Sequence, residues 1–116
     1  MKLLTKAIEK ALVSAAERNE AGKMMDPIDA NAMKVIVKFF MPEGAATWYI
    51  LEGAKQPDGD WRLFGFCNLG DPDMAELGYV MLSELRVRGK NFGLPVERDM
   101  WYEGTLADAR KEVSGS

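Results

Sequence analysis

Met33-Lys34-Val35-Ile36-Val37-Lys38-Phe39-Phe40-Met41 decides the fold. Val35, Val37, Phe39 and Met41 fall at every second position, between Lys34, Ile36, Lys38 and Phe40. A period of two belongs to a strand whose successive side chains point to opposite faces, and the wholly apolar set is the face that seeks the core. Toward the C-terminus, Pro42-Glu43-Gly44 reads as a turn and Thr47 to Glu52 as the next strand. Gln56-Pro57-Asp58-Gly59-Asp60 is a hairpin connector, with Pro and Gly where a tight turn needs them. Trp61 to Asn68 forms a third strand, Gly70-Asp71-Pro72-Asp73 interrupts it, and Glu76 to Met81 forms a fourth. Connections this short favour an antiparallel meander, because parallel neighbours need helical crossovers.

Beyond the fourth strand, Ser83 is placed to cap a helical turn through Leu85. Arg88 to Pro95, with two glycines and a proline, reads as a loop, and Val96 to Tyr102 as a fifth strand. Thr105 and Asp108 form a variant capping box opening a last helix that ends near Val113. Upstream, Thr5 is a reasonable N-cap for a helix whose apolar stripe is Leu4, Ile8, Leu12 and Ala15. Asn19-Glu20-Ala21-Gly22 stops it, and residues 23–32 suit a loop. The expected architecture is α+β: a curled antiparallel sheet of about five strands, an N-terminal amphipathic helix packed on it, and a short C-terminal helix. No repeat or linker divides residues 1–116, which are expected to form one domain, with 114–116 as an unstructured tail.

Composition narrows the chemistry. The 116 residues carry 15 basic and 18 acidic side chains, a net charge of −3, with no histidine and one cysteine. Without histidine there is no Ser-His-Asp or Cys-His pair, no His general base and no His-ligated metal or haem. One cysteine excludes an internal disulfide, a Cys-x-x-Cys redox pair and a cysteine zinc cluster. No cofactor-binding glycine loop is present, and no cofactor or metal is expected. The charge is segregated. Residues 41–84 set Lys55 and Arg62 against eight carboxylates, a net −6, whereas residues 85–98 set Arg86, Arg88, Lys90 and Arg98 against Glu97, a net +3. No apolar run reaches the length of a membrane span, and Glu9 and Lys10 interrupt the only stretch resembling a signal peptide. A cytoplasmic location is expected.

Several stretches together resemble one family: Met1-Lys2-Leu3-Leu4-Thr5, Lys38-Phe39-Phe40, Thr47-Trp48-Tyr49 with Glu52, Asp58-Gly59-Asp60 before Phe64-Gly65, Glu76-Leu77-Gly78-Tyr79, Leu82-Ser83-Glu84-Leu85, Arg88-Gly89, and Gly93-Leu94-Pro95-Val96-Glu97-Arg98-Asp99. Their order and spacing are similar to those of a bacterial domain-of-unknown-function family of about this length, often carried by plasmids, phages and integrative elements. The resemblance spans nearly the whole chain and departs from it at residues 13–32, where the Ala-rich helix and the loop are longer. It implies a stand-alone domain in a mobile-element setting and brings no catalytic residues with it.

Each cluster that bears chemistry has an ordinary structural reading beside a functional one. Cys67 lacks a base or cation to activate it and is expected to be a structural thiol. Asp58-Gly59-Asp60 and Asp71-x-Asp73-x-x-Glu76 match no calcium loop and stand where turns want Asp. Glu97, Asp99 and Trp101 share one face of the expected fifth strand. Trp101 is costly to leave in water, which points to cover from a neighbour or a partner. Arg86, Arg88 and Lys90, with Phe92 behind them, form a basic loop able to meet phosphate. Trp48 and Ile50 share a face with Glu52, and Phe64 and Phe66 share one with Arg62. The aromatics of the second face are expected beneath the C-terminal helix, an open recognition surface being the alternative.

The leading reading is a non-enzymatic protein that binds a macromolecular partner, most readily a protein, in an accessory or anti-defence role. Its candidate binding residues are Trp48, Glu52, Glu76, Tyr79, Arg86, Arg88, Lys90, Glu97, Arg98 and Trp101. The alternatives are a nucleic-acid module using the basic residues of 86–98 and a small carboxylate enzyme using Glu52, Glu76, Glu97 or Asp99. The enzyme reading requires those carboxylates to converge on one cleft.

Overall fold

The computed structural model describes residues 2–22, 30–42, 44, 46–91 and 93–115. Helix α1 spans Lys6–Gly22. The Thr5 hydroxyl accepts the Ile8 N–H at 3.2 Å, satisfying an otherwise orphaned donor of the first turn. Leu4, Leu12 and Ala15 are buried along the apolar stripe, and Lys6, Lys10, Glu17 and Arg18 face water. Of the loop expected at 23–32, residues 23–29 lie outside the described residues.

Five strands follow: β1 (Val37–Phe40), β2 (Thr47–Lys55), β3 (Trp61–Asn68), β4 (Glu76–Met81) and β5 (Glu97–Asp99). They form one open antiparallel sheet in the order β4-β3-β2-β1-β5. Helix α2 (Leu82–Asn91) runs on from β4, and helix α3 (Leu106–Gly115) closes the described chain.

The sheet has two buried faces. On one, Val37, Phe39, Trp48, Ile50, Trp61 and Leu63 pack with Leu4, just before α1, with Leu12 of α1 and with Leu82 and Leu85 of α2. On the other, Tyr49, Leu51 and Phe66 pack with Leu106, Ala109 and Val113 of α3. Met41 is buried with Val37 and Phe39, whereas Val35, which precedes β1, is buried on the opposite face, so the expected single face holds for three of its four members. Complete burial of side chains such as Phe39, Ile50 and Leu63 contributes roughly 1.5–3 kcal/mol each. The C-terminal helix does cover the second face, and its capping box forms as expected. The Thr105 N–H donates to Asp108 Oδ2 at 2.9 Å, and the Asp108 N–H donates to Thr105 Oγ1 at 3.3 Å.

Five local readings need correction. Residues 88–91 are helical, not loop, because Gly89 is a packing glycine: a Cβ there would lie 2.7 Å from the Val96 nitrogen and 2.8 Å from Pro95 Cα. Ser83 does not cap α2; its N–H and hydroxyl donate to the Asp60 carboxylate at 3.1 and 2.6 Å, and the Met81 N–H is taken by Glu84 Oε1 at 2.7 Å. Strand β2 runs on to Lys55 and carries a bulge between Ile50 and Glu52. The extra residue puts Glu52 opposite Phe64, on the face away from Trp48 and Ile50, because the bulge resets the alternation. Strand β5 ends at Asp99, since the Asp99 carboxylate accepts the Trp101 N–H at 3.0 Å and turns the chain. Finally, Ser114 and Gly115 belong to α3, not to a tail.

Candidate functional site

A groove of about 350 Å³ lies between α2 and the outermost strand β4. Its floor is Trp48, Cys67 and Gly78, and Glu84, Leu85 and Arg88 of α2 form one wall. Glu76, Val80 and Tyr79 of β4 and Leu69 form the other side. Trp48 is itself only 2% exposed, with the Arg88 guanidinium 5.6 Å from its ring centroid, so it supports the groove from below. A Cβ on Gly78 would meet nothing within 4 Å, which leaves the floor over β4 open.

The outer edge of β4 is equally open. Among the described residues, β4 pairs only with β3. The Met81 N–H is turned away from β3 and bonded to Glu84. In an antiparallel ladder the backbone groups alternate in direction, so the N–H and C=O of Leu77 and Tyr79 also face outward. Tyr79 is 64% exposed; its ring lies 5.0 Å from that of Phe64 and under the Arg62 guanidinium at 4.8 Å. The strand carries no Pro or Lys to blunt the edge.

Of the sequence-predicted residues, Trp48, Glu76, Tyr79 and Arg88 line this groove. Arg86 and Lys90 lie on the opposite flank of α2, in a second pocket with Lys2. Phe92 lies outside the described residues. Arg98 belongs to neither: its guanidinium donates to the Lys2 carbonyl at 2.8 Å and reaches the Leu3 carbonyl at 3.4 Å. Glu52 accepts the Asn19 amide at 2.8 Å, and with Tyr79 lines a third concavity of about 370 Å³. Glu97 is on β5, at the far edge of the sheet from Glu76, about 19 Å away by four strand spacings. Trp101 is 88% exposed on the turn after β5, beside the exposed Met100.

The carboxylates of the turns are engaged locally. Asp58 Oδ1 accepts the Asp60 N–H at 2.9 Å, and Asp71 Oδ1 accepts the Asp73 N–H at 3.0 Å. The Ser83 hydroxyl holds the Asp60 carboxyl below its ordinary range, with backbone N–H groups adding to the effect. Among the described residues no three His, Cys, Asp or Glu side chains are grouped to hold a metal ion. Cys67 is half-buried, and burial, with Glu76 adding to it, pushes its thiol up to about 11. Such a thiol is protonated at neutral pH and is a poor nucleophile.

Sequence reasoning missed the open floor at Gly78 and the contribution of Leu69. A glycine inside a strand of alternating character was the available signal. It also missed a cluster on the other face. Lys38 pairs with Glu112 of α3 at 2.6 Å and sits 5.2 and 5.1 Å from the Tyr49 and Tyr102 ring centroids. The Tyr49 hydroxyl donates to the same carboxylate at 3.1 Å. These residues tie α3 to the sheet.

Residues 3–109 match the family described as Protein of unknown function (DUF2958). No curated protein and no solved structure matches the chain.

Proposed function

The chain belongs to the family described as Protein of unknown function (DUF2958), and for this member we propose a binding role: it captures an extended segment of a partner protein along the outer edge of β4. The observation that carries this reading is the unpaired edge at Leu77 and Tyr79 with a groove running beside it. An added strand would form main-chain hydrogen bonds with Leu77 and Tyr79, and its alternate side chains would enter the groove over Gly78. Glu76 and Glu84 on the rim favour a basic side chain there. The protein acts in the cytoplasm of a bacterium as an accessory or anti-defence component of a mobile element; the mobile-element setting rests on the family resemblance and the location on the single cysteine, not on the groove.

The other two readings have less support. Arg86 and Lys90 occupy one flank of α2, Arg88 the other, and Arg98 is tied to the N-terminal segment, so the four cations form no continuous nucleic-acid track. Glu52, Glu76 and the Glu97–Asp99 pair stand on separate strands and do not converge on one cleft.

Peptide-display selection tests the proposal. Wild-type protein is expected to select peptides with alternating apolar character. Tyr79→Pro, which removes an outward N–H while sparing the bonds to β3, is expected to abolish their binding without unfolding the sheet. Selected peptides that bind Tyr79→Pro as well as wild type, or no selection at all, would overturn it.

A further inference from the structure

We infer that the pocket on the other flank of α2 is a binding site for a nucleoside phosphate. It is a concavity of about 510 Å³ between the N-terminal segment, the second half of α2 and residues 93–96. A volume of this size suits a mononucleotide. Among the described residues, Lys2, Arg86 and Lys90 line it, and no carboxylate does. Leu3 and Val96, both buried, and Pro95 give it an apolar floor. A cationic rim over an apolar floor matches a ligand that is anionic at one end and flat and apolar at the other.

The position of each cation has a structural cause. Gly89 lets α2 lie directly on the backbone of Pro95 and Val96, which closes the bottom of the pocket. Gly93, at φ +81°, turns the chain back immediately after the helix. Arg98 holds the Lys2 and Leu3 carbonyls, which carries the Lys2 side chain to the rim. The ordinary explanation for Lys90, in the last turn, is the negative C-terminal end of α2. That explanation does not reach Lys2, which comes from a segment more than eighty residues away in the chain. Asp60 lies within electrostatic range of Arg86, but its oxygens are engaged by Ser83 and Trp61. Three like charges around one hollow repel one another, and a phosphate relieves that repulsion. Arg86 offers a planar fork for two phosphate oxygens, and the lysines act as point charges.

Calorimetric titration of the intact protein with adenosine 5′-triphosphate, adenosine 5′-monophosphate, adenosine and inorganic phosphate tests this. Both nucleotides are expected to bind, the triphosphate more tightly, with affinity falling as salt rises; adenosine and phosphate alone are expected to bind at least tenfold more weakly. Arg86→Gln/Lys90→Gln, at exposed positions, is expected to weaken the nucleotides about tenfold or more, as loss of two charge-assisted contacts requires. Lys2→Gln gives a smaller loss from a residue outside the helix. A 5′-phosphorylated single-stranded oligonucleotide that competes with the monophosphate would identify a strand end as the source of the same phosphate chemistry. Absence of nucleotide binding, equal binding of adenosine, or affinity unchanged in Arg86→Gln/Lys90→Gln would overturn the inference. Tyr79→Pro leaves nucleotide binding intact, so this site and the β4 edge stand or fall separately.

Discussion

Gly65 and Gly78 face each other across β3 and β4, yet their surroundings are opposite. A Cβ on Gly65 would stand 2.1 Å from the Tyr49 carbonyl oxygen and 2.8 Å from Ile50 Cα, whereas one on Gly78 meets nothing within 4 Å. The crowding at Gly65 lies beside the bulge of β2, where the backbone of Tyr49 and Ile50 leans into the space a side chain would fill. Gly65→Ala is therefore expected to cost about 3 kcal/mol or more, because backbone and not a flexible side chain must move. Gly78→Ala is expected to change stability by less than about 0.5 kcal/mol, the usual range for surface substitutions. Chemical denaturation of both variants checks the pair; equal losses would contradict it. Just past the same bulge, the Glu52 carboxylate accepts the Asn19 amide of α1.

At the scale of elements, α3 is fastened to the sheet by an ion pair as well as by apolar packing. Lys38 and Tyr49 both converge on Glu112, and Tyr102 closes over Lys38. Burial, with the Glu112 charge adding to it, pushes the phenols of Tyr49 and Tyr102 up to about 12 from an ordinary 10.0. Below pH 10 both groups are neutral in the folded and unfolded chains. Between about 10 and 12 the unfolded chain releases protons that the folded chain keeps, so stability falls as pH rises through that window. Two results are expected: tyrosinate absorbance at pH 11 that leaves these two phenols un-ionised until the protein unfolds, and a urea midpoint lower at pH 11 than at pH 8. In Glu112→Gln the phenols move back toward 10. Full tyrosinate absorbance in the folded protein at pH 11 would refute the arrangement.

Taken as a whole molecule, the architecture was legible wherever the signal was local. The alternation at 37–41, the hairpin at 56–60 and the caps at Thr5 and Thr105 each depend on residues close in sequence, and each is found, whereas Val35, before the strand begins, packs on the opposite face. The bulge was not legible, because it depends on Gly65 across the ladder from Tyr49 and Ile50. Nor was the length of α2, because Gly89 reads as a breaker until Pro95 and Val96 are packed on it. The candidate residues scattered for a related reason. Arg86, Arg88 and Lys90 stand at every second position in sequence, but a helix sends Arg88 to one flank and the other two to the opposite one. The acidic stretch and the basic stretch thus meet only in part, Arg86 lying near Asp60 while Lys2 and Lys90 keep their charge at the pocket rim.

The open edge of β4 also has a consequence at high concentration. Two copies can join antiparallel along it, Leu77 and Tyr79 of one meeting the same residues of the other, and a continuous sheet results. Sedimentation is expected to show weak self-association that grows with loading and disappears in Tyr79→Pro; a strict monomer at every concentration would argue against an accessible edge. Mass action then links the two events. Every molecule sequestered in such a pair is withdrawn from its target, so the apparent affinity for a peptide declines as the protein itself becomes more abundant. Expression level would then act as a built-in brake on occupancy.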